Sequence, residues 1–197
     1  MILEKINAHK IYLASNSPRR KQLLSDIGIK FETLTGNKVD ESIPKGFPHK
    51  NAAEFLAVKK NKAYQKVHTE NSILITADTT VLLAGEIMDK PTNTQHAIDI
   101  LMLLAGNKHE VRTGVCISTP EEEYAFTEVS KVYFAGLSKE EIEYYISLCQ
   151  PFDKAGAYGI QEWIGHIGIK KIEGSYDNIV GLPTQKVYRK LKEIVTR

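Results

Sequence analysis

Leu13-Ala14-Ser15-Asn16-Ser17-Pro18-Arg19-Arg20 joins a strand to a helix within eight residues. Before it, Lys10-Ile11-Tyr12-Leu13 has the short apolar run of a strand; after it, Leu23, Leu24 and Ile27 recur at helical spacing until Gly28 stops the pattern. Ser17 stands where a helix cap belongs, and Pro18 suits the first helical position, where an N–H would lack a partner and the ring already holds a helical φ. The unpaired N–H groups of that first turn sit at the positive end of the helix dipole, and Ser15, Arg19 and Arg20 add hydroxyl and guanidinium donors. Together they read as a phosphate seat. Two arginines in a first turn oppose the dipole unless an anion is there to hold. Ser-x-Ser-Pro is also ordinary capping grammar, so the octet alone leaves both readings open.

Outward from this turn, helical and strand patterns interleave. Lys30 to Thr35 alternates weakly as a strand, and a polar loop follows from Gly36 to Lys50 carrying Asp40 and Glu41. Ala52, Phe55, Leu56, Ala63 and Val67 give a helix whose remaining surface is loaded with Lys59, Lys60, Lys62 and Lys66. Ser72 to Ala77 is a continuous apolar run, as a strand covered on both faces requires, and it is expected to end at Asp78-Thr79-Thr80. Val81-Leu82-Leu83, Ala84-Gly85 and Glu86-Ile87-Met88 read as a hairpin that returns Asp89-Lys90-Pro91 towards Asp78.

Ala97 to Ala105 is a strongly amphipathic helix stopped by Gly106, and two long strand patterns follow, through Val111 to Ile117 and Tyr124 to Phe134. Ser138-Lys139-Glu140-Glu141 is a capping box opening a helix to Cys149. Pro151 to Gly181 is glycine-rich and expected to be short-stranded, and a last helix begins at Leu182-Pro183-Thr184. The pattern predicts an α/β fold with a mixed central β-sheet flanked by helices, residues 1–197 forming a single domain.

Composition narrows the function. The chain is 42% hydrophobic and 25% charged with a net charge of +2, and it has neither the basic block nor the interleaved aromatics of a nucleic-acid binder. No apolar run approaches the roughly 20 residues that cross a bilayer, and the start of the chain lacks a signal peptide's apolar core, so a cytoplasmic protein is expected. Cys116 and Cys149 form no C-x-x-C pair and read as reduced thiols, and the six histidines include no pair at helical metal spacing. A P-loop, a G-x-S-x-G elbow and a Cys/His nucleophile pattern are all missing.

What remains is a set of charged residues where charge is costly unless compensated. Asp78 follows a wholly apolar strand, and the hairpin brings Lys90 to the same rim, which the loop bearing Asp40 and Glu41 can also reach. Carboxylates without histidine suit a hard divalent cation, Mg²⁺ or Mn²⁺, and the neighbouring arginine and lysine suit a polyphosphate. Asp-Thr after a strand is also a common turn or cap, and that alternative stands for Asp78 taken alone.

Seven pieces in order, spread over most of the chain, resemble the Maf nucleotide pyrophosphatases. They are the Leu13 to Arg20 octet; Asp40-Glu41; Lys62-Ala63; Ala77-Asp78-Thr79; Gly85 with Lys90-Pro91; Asp153-Lys154-Ala155-Gly156-Ala157-Tyr158-Gly159-Ile160-Gln161; and Gly174-Ser175-Tyr176 with Gly181-Leu182-Pro183. The resemblance implies an inosine triphosphatase-like fold with a cleft between two lobes. It implies metal-dependent hydrolysis of a nucleoside triphosphate to its monophosphate and pyrophosphate, and a homodimer. It further implies that Asp78 accepts a proton from the attacking water, with Ser15, Arg20, Glu41, Lys62 and Lys90 around the phosphates and Glu41 and Asp78 at the metal.

Arg19, Thr79 and Gln161 match the branch of that family acting on dTTP and UTP, whereas its 7-methyl-GTP branch has Trp in place of the first arginine. An amide such as Gln161 offers a donor and an acceptor, which fits the O4 and N3–H edge of thymine and uracil. Glu162-Trp163-Ile164 follows where that branch usually turns through glycine. The alternatives within the same resemblance are a 7-methyl-GTP-type pyrophosphatase and a nucleotide-binding regulator of septum formation.

Overall fold

The computed structural model describes residues 1–37 and 39–197; Lys38, within the loop expected from Gly36 to Lys50, lies outside the described residues. The chain opens with a helix that its pattern does not announce, α1 (Ile2–Asn7), too short for a periodicity to register and anchored by the fully buried Ile6. It then enters β1 (Lys10–Ala14) and α2 (Pro18–Asp26) through the octet. Ser17 is the cap, its hydroxyl accepting from the Arg20 N–H at 3.4 Å, with Pro18 at the first helical position.

Next come β2 (Glu32–Leu34), α3 (Ala52–Tyr64), β3 (Ser72–Leu83), β4 (Glu86–Met88), α4 (Thr94–Leu104), β5 (Lys108–Ser118) and β6 (Glu123–Phe134). The chain finishes with α5 (Lys139–Cys149), α6 (Trp163–Gly168), β7 (Ile169–Glu173), α7 (Tyr176–Val180) and α8 (Thr184–Val195). The sheet order is β2-β1-β3-β5-β6-β7 with β4 on β3; β1 pairs in parallel with β2 and β3, while β3/β4 and β6/β7 are antiparallel. This is a mixed α/β fold with helices flanking a central sheet.

Two expectations are corrected. β3 does not end at Asp78: it runs unbroken from Ser72 to Leu83, with Asp78 in mid-strand, because Thr79, Thr80 and Val81 are β-branched and extend the pleat. Within the stretch from Pro151 to Gly181 expected to be short-stranded, Trp163–Gly168 forms the helix α6, and the strand is confined to Ile169–Glu173.

Packing divides the chain into two compact units, Met1–Asp78, Thr113–Glu128 and Gly181–Arg197 forming the first, and Thr79–Arg112 with Val129–Val180 the second. In the first, alternate residues of β1 and β3 point to opposite faces: Ile11, Leu13, Ile73 and Ile75 pack with Leu24, Val187 and Leu191, whereas Tyr12 and Leu74 pack with Tyr64 and Val67. Burial on both faces explains why this stretch of β3 reads as an unbroken apolar run. In the second, α4, α5 and α6 close over the β3/β4 hairpin and the far ends of β5 and β6, with Leu101, Leu104, Ile142, Ile146 and Ile164 in the core. The hairpin turns through Ala84 and Gly85, both at positive φ, as its tight two-residue loop requires. Both cysteines are free, Cys116 buried and Cys149 half-buried.

Candidate active site

A buried carboxylate in mid-strand needs a partner, and in the first unit Asp78 has one. Lys60 Nζ lies 2.5 Å from Asp78 Oδ1 and 2.8 Å from Glu41 Oε1, so one ammonium is shared by two carboxylates. The Asp78 and Lys60 side chains are only 12% and 16% exposed, and Glu41 is 46% exposed. An isolated charge at that depth would cost several kcal/mol, roughly, and the pairing offsets it.

Arg20 completes the group. Its Nε donates to the Gly181 carbonyl at 2.8 Å, which ties the side chain to the segment that leads into α8. Burial lowers its pKa, the Asp78 carboxylate pulls the other way, Arg19 adds to the lowering and Glu41 opposes it. The lowering comes from burial, the charges of both carboxylates oppose it, and the guanidinium keeps its proton throughout. Ser15 is half-buried at the end of β1, where its hydroxyl accepts from the Ser17 N–H at 3.2 Å and shapes the turn.

The structure brings Lys60, not Lys62, to Asp78. Lys62 is exposed, because residues two apart on a helix point about 200° apart. The rotation of α3 is set by its packing: Thr76 Oγ1 donates to the Ala57 carbonyl at 2.7 Å, and Asn61, fully buried, takes a hydrogen bond of 2.8 Å from Ser118. Gly114 on β5 has no side chain where a Cβ would lie 2.3 Å from the Ala53 carbonyl, so helix and strand backbones meet directly. The signal for Lys60 was in the sequence: it follows Leu56 and Ala57 by four and three residues and so shares their buried side.

Asp40 is likewise drawn elsewhere. Its carboxylate accepts from the Ser42 hydroxyl at 2.6 Å, the Ser42 N–H at 2.9 Å and Lys59 at 3.1 Å, which together hold its pKa down to about 2. It stitches the loop that carries Glu41, and Glu41 alone of that acidic pair reaches Lys60.

Thr79, Lys90 and Gln161 belong to the second unit. Thr79 is half-buried, and Lys90 and Gln161 are exposed. The Asp89 carbonyl accepts from the Gly156 N–H at 3.3 Å, tying the segment before Lys90 to the turn that leads into Tyr158 and Gln161. Also missed by the sequence reading is a buried polar group beneath that turn, formed by Tyr145, Lys154 and Glu162.

Among the described residues no three His, Cys, Asp or Glu side chains gather as a protein cage for a metal. The two carboxylates on Lys60 nevertheless fit a divalent cation of the Mg²⁺ type, which takes one or two protein carboxylates when water and substrate phosphate fill its shell. Chemically, the group offers a carboxylate to take a proton beside two cations able to balance phosphate charge.

A family model described as Maf-like protein matches residues 10–194. A dTTP/UTP pyrophosphatase of Bacteroides thetaiotaomicron is 46% identical over 193 residues, covering 98% of this chain and 100% of that protein. A dTTP/UTP pyrophosphatase of Phocaeicola vulgatus is 47% identical over 193 residues with the same coverage. Among solved structures, a HAM1 protein from Coxiella burnetii is 14% identical and covers 95% of this chain and 98% of that one at a TM-score of 0.46.

Proposed function

The chain belongs to the Maf-like protein family, and from that membership we propose that it hydrolyses nucleoside triphosphates, dTTP and UTP foremost, to the monophosphate and pyrophosphate. The observation that carries this reading is the Lys60 ammonium held between Asp78 and Glu41, with Arg20 alongside. Such a set is poorly suited to mere binding: a polyphosphate seat needs cations, whereas a sheltered carboxylate is useful where a proton must be taken up.

In the proposed reaction, water attacks the α-phosphorus, its proton passes to Asp78, and the bond from that phosphorus to the bridging oxygen breaks to release pyrophosphate. Arg20 and Lys60 balance the charge that grows on the phosphoryl oxygens. Asp78 and Glu41 would hold Mg²⁺ or Mn²⁺, which when bound adds positive charge to the phosphates. Ser15 and Lys90 are proposed as further phosphate contacts. Arg19, Thr79 and Gln161 are proposed to set the base preference, with the Gln161 amide pairing to the O4 and N3–H edge. The reading places the protein in the cytosol, where nucleoside triphosphates are held. It includes a homodimer, supported by the apolar side chains Met102, Leu103, Tyr144 and Leu148 left exposed on α4 and α5.

The test is pyrophosphate release from dTTP, UTP, 7-methyl-GTP, ATP and GTP with Mg²⁺, with Mn²⁺ and with EDTA. Turnover of dTTP and UTP that stops in EDTA is expected, and Asp78→Asn should lower it about a thousandfold while nucleotide binding stays measurable. Equal release from every base, or full activity of Asp78→Asn, would overturn the reading.

A further inference from the structure

Glu162 follows Gln161 and is the N-cap residue of α6, yet its side chain makes no capping bond to that helix. The carboxylate turns inward instead. One oxygen takes Lys154 Nζ at 3.1 Å, and the other accepts the hydroxyl proton of Tyr145. The Lys154 side chain is 9% exposed and has Asp153 as its second partner at 2.8 Å. Tyr145 is fully buried, and its oxygen accepts the Gly159 N–H at 3.0 Å. Burial, reinforced by the bond to Glu162, pushes the Tyr145 pKa up, so the phenol stays a donor.

These bonds converge on one turn. The Glu162 N–H closes Gly159-Ile160-Gln161-Glu162 by donating to the Gly159 carbonyl at 3.0 Å. Beneath it the chain of donors runs from the Gly159 N–H to the Tyr145 oxygen, and from the Tyr145 hydroxyl to the Glu162 carboxylate. A Cβ on Gly159 would lie 2.7 Å from Glu162 Cδ, so the carboxylate passes against the bare backbone of the turn. Ile160 is buried in the core, and Gln161, at the third position of the turn, is the exposed residue it presents. A turn closed by its own backbone bond and tied from below at both ends leaves its apex residue little freedom.

We propose that Glu162 is a positioning residue for base selection: held by Lys154 and Tyr145, it locks the turn so that the Gln161 amide is presented in one orientation. This rests on the reading that Gln161 pairs with the base. An amide selects by offering donor and acceptor in fixed directions, and a loosened turn would lose ordering entropy on binding and misdirect both groups. The carboxylate that could have capped α6 serves the preceding turn.

The probes are UTP as substrate and GTP as a competitor, with discrimination read as the Ki of GTP over the KM of UTP. Both are concentrations, so neither depends on how much of a variant preparation is folded. Glu162→Ala and Tyr145→Phe should each lower that ratio about tenfold, chiefly through the KM of UTP. Glu162→Gln should fall between them and the unaltered protein, since one amide oxygen replaces only one of two acceptors. Gln161→Ala is the reference and should collapse the ratio. If Gln161→Ala collapses it while Glu162→Ala and Tyr145→Phe preserve it, the positioning role is overturned and the base-reading role stands. If Gln161→Ala itself preserves the ratio, the reading of Gln161 fails and takes the proposal with it.

Discussion

Lys60 is the residue on which the candidate chemistry turns, since its ammonium touches both Asp78 and Glu41. Lys60→Met keeps an aliphatic stem and removes the charge, leaving two carboxylates without the ammonium between them. Pyrophosphate release from UTP should fall about a hundredfold, and Lys60→Arg should recover part of it. Activity within threefold of the unaltered protein would exclude Lys60 from the reaction. Lys62→Met, on the exposed side of the same helix, should change turnover little. Asp40, equally prominent in the sequence, is occupied by Ser42 and Lys59. Residue type and neighbourhood in the chain thus pointed to a lysine of α3 without saying which one lies against Asp78.

At the scale of elements, the site depends on how closely α3 lies against the sheet. Gly114 permits that approach, and a Cβ there would meet the Ala53 carbonyl carbon and oxygen and the Glu54 nitrogen, all at 2.3 Å. Backbone atoms cannot rotate aside as a side chain can. Gly114→Ala should therefore cost about 2 to 4 kcal/mol in stability, measured by urea denaturation, and shift α3 enough to weaken the Lys60 pairing and lower turnover. A fully stable variant would mean that the backbones of α3 and β5 do not meet at Gly114. Caps and turns were the most legible elements: Ser17 and Pro18, the box of Ser138 with Glu141, and the Ala84-Gly85 turn all form where their residues announced them. α6 was not legible, because a six-residue helix containing Gly165 and Gly168 gives too short a pattern to tell from alternation.

For the molecule as a whole, chain order and packing disagree. The chain passes between the two units four times, and β3, β5 and β6 each contribute to both. The core of the first unit joins Ile11, Leu24 and Ile75 to Val115 and Ile117 of β5 and to Leu182, Val187 and Leu191 at the far end of the chain. A fragment holding only Met1–Asp78 should stay unfolded, without near-ultraviolet dichroism or dispersed amide resonances, since it exposes the apolar surface those later segments cover. A folded fragment would show that the unit needs no such closure.

The sequence by itself determined the strand-to-helix turn, the caps and the doubly covered strand, because each is set by residues within a few positions of one another. The tertiary structure decided that β3 continues through Asp78, that Lys60 rather than Lys62 meets it, and that Glu162 serves the turn of Gln161. Those outcomes depend on the rotation and depth of elements, which are fixed by close packing between residues well separated in the chain, such as Gly114 against Ala53 and Tyr145 against Gly159.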